Sequence, residues 1–179
     1  MPPSFAKAGG RAPAADIPEL MSELHHWEDA LDGRIVQHEQ AAAHLYPLVV
    51  QYEDTDAGAI AYHAAYICYA ERARSALLRV AGFPVASTLA EHHQGFVIRN
   101  LQAEYHRPAA LHDRLVVHTS CAALSAASCS LQQDMFCPDN GHIFARVSVQ
   151  GVWIEQDKGP KRFPQHLQQI ISSFYTPLS

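Results

Sequence analysis

One feature limits this chain more than any other: a single long helical pattern followed by little except strands. Over residues 64–81, Tyr66, Tyr69, Ala70, Ala73, Leu77 and Val80 recur on one face, while Glu71, Arg74 and Ser75 lie mostly off it. Gly82 and Pro84 stop that pattern. From there the apolar period changes to two, predicting strands over residues 96–105, 115–124, 128–136 and 143–155. Pro138-Asp139-Asn140-Gly141 marks the turn between the last two. Gly151 interrupts the inward face of the last strand, which predicts a bulge or a close backbone approach. A short helix over 163–174 closes the pattern with Leu167, Ile170, Ile171 and Phe174.

Upstream of the helix, residues 44–52 predict one more strand. Successive hairpins favour an antiparallel sheet, and an alanine-rich helix with one apolar face lies across it. The expectation is an α+β domain over 44–179, with the sheet wrapped around one central helix. Residues 1–43 form an N-terminal extension. Its first 15 residues, rich in Ala, Pro and Gly, read as an unstructured tail. An amphipathic helix then starts at Asp16, with Pro18 in its first turn and Glu19 three residues after the cap. It carries Leu20, Leu24, Trp27 and Leu31 on one stripe and ends near Gly33.

The formal net charge of -5, with no run of Lys and Arg, excludes a nucleic-acid binder. The four cysteines, Cys68, Cys121, Cys129 and Cys137, form no CxxC pair, so neither a structural zinc nor another metal is expected. The twelve histidines read as surface or hydrogen-bonded side chains. Cys68, between Ile67 and Tyr69, reads as buried. No apolar run approaches the ~18 residues that span a bilayer, and no secretory signal opens the chain. A cytoplasmic location is the expectation.

The chemistry concentrates in Tyr52-Glu53-Asp54-Thr55-Asp56-Ala57-Gly58-Ala59-Ile60-Ala61-Tyr62-His63-Ala64-Ala65-Tyr66. Three carboxylates stand between a strand end and a helix start. Alone they read as a solvated acidic loop. Gly58 lets the backbone turn or approach a ligand. The helix start near His63 offers unpaired N–H groups and a partial positive charge, suited to polarising a carbonyl oxygen. One segment therefore supplies both a carboxylate and an oxyanion donor.

These residues closely resemble the 4-hydroxybenzoyl-CoA thioesterase family, and within it the acyl-CoA thioesterases linked to the Tol-Pal system. The shared pattern is Y-E-D-T-D-x-G-x-V-x-Y-H-x-x-Y followed by E-R-x-R, here Glu71-Arg72-Ala73-Arg74. It continues through Glu104-Tyr105-His106-Arg107-Pro108-Ala109, Leu111-His112-Asp113 and Pro160-Lys161-Arg162-Phe163-Pro164. The resemblance spans about residues 45–174 and implies a hot-dog fold and hydrolysis of a small acyl-CoA thioester, without cofactor. It implies that Asp56 attacks the thioester carbonyl or activates a water. It places the backbone N–H of His63 on the carbonyl oxygen, with the His63 ring orienting Asp56 or the water. Tyr52, Gly58, Tyr62 and Tyr66 make up the expected substrate-binding set; core packing is the competing reading for Tyr52 and Tyr62. Arg107 and Arg162 are candidates for CoA phosphate contacts, against plain solvation. The family also implies a homodimer or homotetramer with sites at subunit junctions. An acyl carrier protein is the alternative donor.

Ala61, Ala65 and Ala70 depart from the residues common in relatives, and they leave the acyl group open. Glu71 is a rival catalyst, because another hot-dog thioesterase group uses a helix carboxylate; an ion pair with Arg74 is its competing reading. Two other functions share the fold: a dehydratase or isomerase on a carrier-bound acyl chain, disfavoured by the 52–66 motif, and a non-catalytic acyl-carrier or envelope-complex binding module.

Overall fold

A computed structural model describes residues 31–37 and 41–175. The expected tail and most of the 16–33 helix lie outside the described residues. The described elements are β1 (Arg34–Gln37), β2 (Ala42–Val49), α1 (His63–Val80), α2 (Val85–His92), β3 (Gln94–Tyr105), β4 (Arg114–Leu124), β5 (Ser128–Phe136), β6 (Ile143–Glu155), β7 (Gly159–Pro160) and α3 (Gln165–Ser173). One antiparallel sheet runs β1-β2-β4-β5-β6-β3, with β7 added to β6. The chain leaves β2, crosses the sheet face as α1, and returns as β3 on the opposite edge.

The alanines explain how α1 can lie so close. Ala65, Ala70 and Ala73 are buried beside Tyr66 and Tyr69, and they pack with Val117, Met135, Val147 and Val149 of the sheet. Small side chains at these positions let the helix backbone approach the sheet, while the two tyrosines fill the remaining space. A second cluster sits under the far half of α1. It joins Leu77 and Phe83 to Trp153, Phe163, Leu167 and Phe174. Trp153 is its centre, with Phe96 and Phe83 edge-on at 5.2 and 5.9 Å.

Gly151 serves both purposes read from the sequence. A Cβ there would stand 3.2 Å from the Phe96 ring. Opposite it, the β3 register shifts between Ile98 and Asn100, leaving Arg99 as the extra residue of a bulge.

Several expectations are corrected. The sheet begins at Arg34 and β2 at Ala42, so it reaches into the segment assigned to the extension. The first predicted strand ends at Val49 rather than 52, because residues Tyr52–Asp54 coil into a 3-10 turn. Pro84 stops α1 but caps a further helix, α2, that the sequence pattern missed. Cys68 is exposed, not buried. Arg74 is buried, although its position reads as off-face. Its guanidinium donates to Gln133 Oε1 at 2.5 Å, and Gln133 donates to Ala70 O at 2.9 Å and Thr119 Oγ1 at 3.2 Å. A buried polar network of this kind costs little only when every member is satisfied.

Candidate active site

The segment from Gln51 to Tyr62 folds into a series of short closed turns. Gln51 N–H donates to the Asp54 carboxylate at 2.9 Å, and Tyr62 N–H donates to Asp54 O at 2.8 Å. Buried Asp54 thus pins the strand end to the helix start. Between these points, Asp56 N–H donates to Ile60 O and Ala59 N–H to Asp56 O, each at 3.0 Å. Thr55 bridges to Ala61 and Ile60 to Ala110. Asp56 is therefore set on a loop whose ends are tied together and to the neighbouring strand entry.

The left-handed residue in this loop is Ala59, with φ 56°, not Gly58. Gly58 serves another need. Its N–H donates to Asp56 Oδ1 at 2.7 Å, and a Cβ on residue 58 would stand 3.1 Å from that same oxygen. Glycine makes room for a carboxylate that folds back onto the loop. This hydrogen bond fixes the Asp56 side chain without burying it; the residue is exposed in the single chain.

Seven residues on from Asp56, α1 starts at His63, with Tyr62 at its cap position in extended geometry and no side chain capping the first turn. Those N–H groups carry the partial positive end of an 18-residue helix. The His63 ring is exposed and lies 4.2 Å from Tyr62 and 6.4 Å, edge-on, from Tyr105. The Tyr105 hydroxyl donates to His63 O at 3.0 Å. Tyr105 was not among the residues singled out. Its position at the end of a period-two strand in the Glu104–Ala109 block was the available signal.

The four expected binding residues divide. Tyr52 is 82% exposed and Tyr62 49%, so both rings face outward beside the loop. Gly58 lies at the carboxylate. Tyr66 is 3% exposed, and its hydroxyl accepts Ala109 N–H at 3.0 Å, so it props the Ala109 strand entry from inside. Burial raises its pKa, as burial and then the neighbouring Asp54 raise that of Tyr69. Both remain neutral phenols near neutral pH.

Glu71 forms an ion pair with Arg74, and Ser75 Oγ reaches it at 3.5 Å. Arg107 is exposed and meets His142 Nδ1 at 3.3 Å, while Arg162 is exposed. Among the described residues, no group of three or more His, Cys, Asp or Glu side chains could hold a metal ion.

Residues 50–171 match the thioesterase-like superfamily. The chain is 37% identical over 133 residues to the acyl-CoA thioesterase YbgC of Helicobacter pylori, covering 69% of this chain and 96% of that protein. It is 38% identical over 95 residues to the acyl-CoA thioester hydrolase YbgC of Escherichia coli, covering 53% of this chain and 70% of that one. A 1,4-dihydroxy-2-naphthoyl-CoA thioesterase from Synechocystis superposes with a TM-score of 0.69 over 73% of this chain and 96% of its own, at 18% identity. At that identity the likeness speaks for the fold alone, and the fold is the hot dog.

Proposed function

The chain belongs to the thioesterase-like superfamily, and from that premise we propose that it cleaves a small acyl-CoA thioester with Asp56 as the reacting carboxylate. It is a thioester hydrolase of the acyl-CoA kind, as its relatives are. The observation that carries the Asp56 assignment is the pairing, within one turn system, of an outward carboxylate and a helix start without a side-chain cap.

In this reading the thioester carbonyl oxygen accepts from the first N–H groups of α1, near His63. Charge grows on that oxygen as the carbonyl carbon becomes tetrahedral, so fixed donors there favour the transition state over the substrate. Asp56 either takes the proton of an attacking water or attacks the carbon itself, forming an anhydride that water then opens. In both routes the C–S bond breaks and CoA leaves as a thiol; in the base route the water oxygen enters the acid, whereas in the anhydride route water attacks the Asp56 carboxyl carbon, leaves its oxygen on Asp56 and releases the acid with an Asp56 oxygen. A thiolate is a good leaving group, so strong acid assistance is unnecessary. Tyr62 and the His63 ring border the reacting carbon, and Tyr105 holds the His63 peptide in place. Acyl-CoA is the donor assigned here, with an acyl carrier protein as the competitor to test beside it.

The exposed Asp56 needs a partner surface. Strand β3 is 12 residues long and, among the described residues, pairs only with β6, which leaves its other edge open there, with Val97 41% and Ile98 43% exposed. A long open edge with exposed apolar residues invites pairing with a second strand. Two copies joined antiparallel along β3 set the Tyr105 end of one against the Gln94 end of the other, and so roof the Asp56 loop. We assign a homodimer on this ground, pairing further into a tetramer or not. No described helix is long and apolar enough to cross a membrane; the cytoplasm is the compartment we assign.

The test follows thiol release from a panel of aliphatic and aromatic acyl-CoAs. Asp56→Asn is expected to lose about 10²-fold or more in kcat with its melting temperature unchanged. Full activity in Asp56→Asn together with loss in Glu71→Gln overturns the assignment. Incorporation of ¹⁸O from labelled water into Asp56 during single turnover separates the anhydride route from the base route.

A further inference from the structure

Under the second half of α1 runs a cavity of about 780 Å³, roofed by α1 and α2 and floored by the sheet. Its floor takes Phe96 and Ile98 from β3, Gly151 from β6, Leu131 from β5 and Thr119 from β4. These four strands are successive neighbours in the sheet, so the cavity is a trough about 14 Å long laid across them. One end lies at the β3 edge, where Ile98 is 43% exposed, beside Val85 at 42% and Leu89 at 57% on α2. Gly151 keeps the floor low just inside that end, since it pairs with Ile98 on one side and with Cys129 on the other. At the other end α3 closes the trough with Ile170, Ile171 and Phe174. There Cys121 N–H of β4 donates to Phe174 O at 3.0 Å and ties α3 to the sheet.

We infer that the acyl chain of a thioester held at the Asp56 of one protomer runs into the trough of its partner, and that this chain is an unbranched hydrocarbon of about ten carbons. The inference rests on the Asp56 assignment and the β3 seam, and it sets an acyl group longer than the small one named with them. The mouth lies where such a chain would enter. The Tyr105 hydroxyl holds His63 O, so the Tyr105 end of β3 travels with the start of α1 and the Asp56 loop. In a dimer joined along β3 that end meets the partner's Gln94 end, where Gly95, Phe96 and Ile98 line the trough. The trough's own Asp56, by contrast, cannot reach into it. Along α1 the lining begins at Glu71, eight residues or about 12 Å of helix rise beyond His63. The space between is filled by Tyr66 and Tyr69, packed with Leu101 and Ala103.

The chemistry of the walls selects the acyl group. The charged residues on them are already paired, Arg74 with Glu71 and Arg79 with Asp32. The Thr119 hydroxyl is taken by Gln133. What remains is mostly aliphatic and aromatic, suited to an uncharged chain. Carbon–carbon bonds of about 1.5 Å advance an extended chain by about 1.3 Å each, so a trough of about 14 Å holds about ten carbons. Sites for ligands of this size run to roughly 300–1,000 Å³, which brackets the cavity.

The experiment follows thiol release by the full chain from acetyl-, butyryl-, octanoyl-, decanoyl-, dodecanoyl- and hexadecanoyl-CoA, each below its micelle concentration. From butyryl to decanoyl, kcat/KM is expected to climb by about 10²-fold or more, since each buried methylene adds up to about fourfold. It falls again at hexadecanoyl, which outruns the trough. Leu131→Trp, midway along the floor, cuts the decanoyl-to-butyryl ratio by about tenfold or more. Ile170→Ala, at the closed end, moves the optimum to dodecanoyl, and it carries the test if Leu131→Trp fails to fold. A profile that is flat or falling beyond butyryl overturns the inference, as does an optimum unmoved in Ile170→Ala. Mixed dimers of Asp56→Asn with Ile170→Ala, isolated through two affinity tags, hold one working Asp56, on the Ile170→Ala chain. With the trough supplied by the partner, that site keeps the parent's decanoyl optimum at about half the parent's turnover per dimer. A dodecanoyl optimum in the mixed dimer puts trough and carboxylate in one chain and overturns the inference, and so does a chain active as a monomer. An active Asp56→Asn homodimer sinks the Asp56 reading, whereas an inactive one beside a flat chain-length profile sinks this inference alone. No thiol release from any of the six thioesters overturns both.

Discussion

The two ends of α1 are built by opposite means. At the start, near His63, backbone hydrogen bonds over a dozen residues hold polar and charged groups at the surface. Asp56, Tyr62 and His63 are all exposed, and little apolar area is spent on them. Toward the finish, from Leu77 to Phe83, aromatic and aliphatic side chains from the helices and the sheet meet around Trp153. The first end is rigid because its turns close on themselves; the second is stable because it excludes water. Substitutions at the two ends should therefore separate activity from stability.

The largest expected effect is at the packed end. Trp153 is 2% exposed and touches Phe83, Phe96 and Phe163. Trp153→Ala is expected to cost about 3–5 kcal/mol in urea unfolding, whereas Asp56→Asn costs none. Equal costs at the two sites would abolish the contrast. Next comes Gln133→Leu, at the middle of the helix. It strips an acceptor from buried Arg74 and a donor from Ala70 O and Thr119, an expected loss of about 1–3 kcal/mol. A neutral or stabilising result would mean that Arg74 finds water there.

Gly58→Ala probes the first end. The new methyl must displace Asp56 Oδ1, 3.1 Å away, by a few tenths of an ångström. The expected result is about a tenfold loss in kcat, since small misplacements of a reacting group are costly, with stability little changed. A fall in melting temperature matched by intact turnover of the folded fraction would show that the glycine serves the loop's fold rather than the carboxylate's placement.

The same contrast explains what could be read from the sequence. The strand at Ile143–Glu155 and the body of α1 were legible because each is a long regular element with a mainly apolar buried face, and the strand at Ser128–Phe136 because it is a regular run ended by a strong turn signal. The acidic loop before a helix was legible as a site because its parts are adjacent in sequence. Strand β1 has four residues, too few to show a period, and it forms only because β2 lies beside it. Arg74 read as surface because Gln133, its acceptor, is 59 residues away. The positive φ passed to Ala59 because closing the loop through Asp56 and Ile60 demands it there; residue type alone pointed to Gly58.

The smallest effect ties the packed end to pH. His44 is fully buried, and its Nε2 lies 2.8 Å from Asp32 O, so that nitrogen donates and Nδ1 stays unprotonated. Nδ1 is buried with no hydrogen-bond partner among the described residues. Burial lowers the His44 pKa below its ordinary 6.5; the Asp32 carbonyl and carboxylate oppose the shift, and His118 adds to it. A lowered histidine pKa means that the folded state resists the proton. Stability is thus whole above about pH 6.5 and is lost as pH falls from there toward the folded pKa, by under about 1 kcal/mol at pH 6. Because His44 holds the Asp32 peptide and Asp32 holds Arg79, acid loosens the finish of α1 and leaves the Asp56 loop untouched. Subtracting the unfolding free energies of His44→Leu from those of the parent between pH 7.5 and pH 5 isolates this one histidine from the other eleven. A difference that stays flat across that range would show that Nδ1 finds an acceptor when charged, and would separate acid sensitivity from the Asp32–Arg79 anchor.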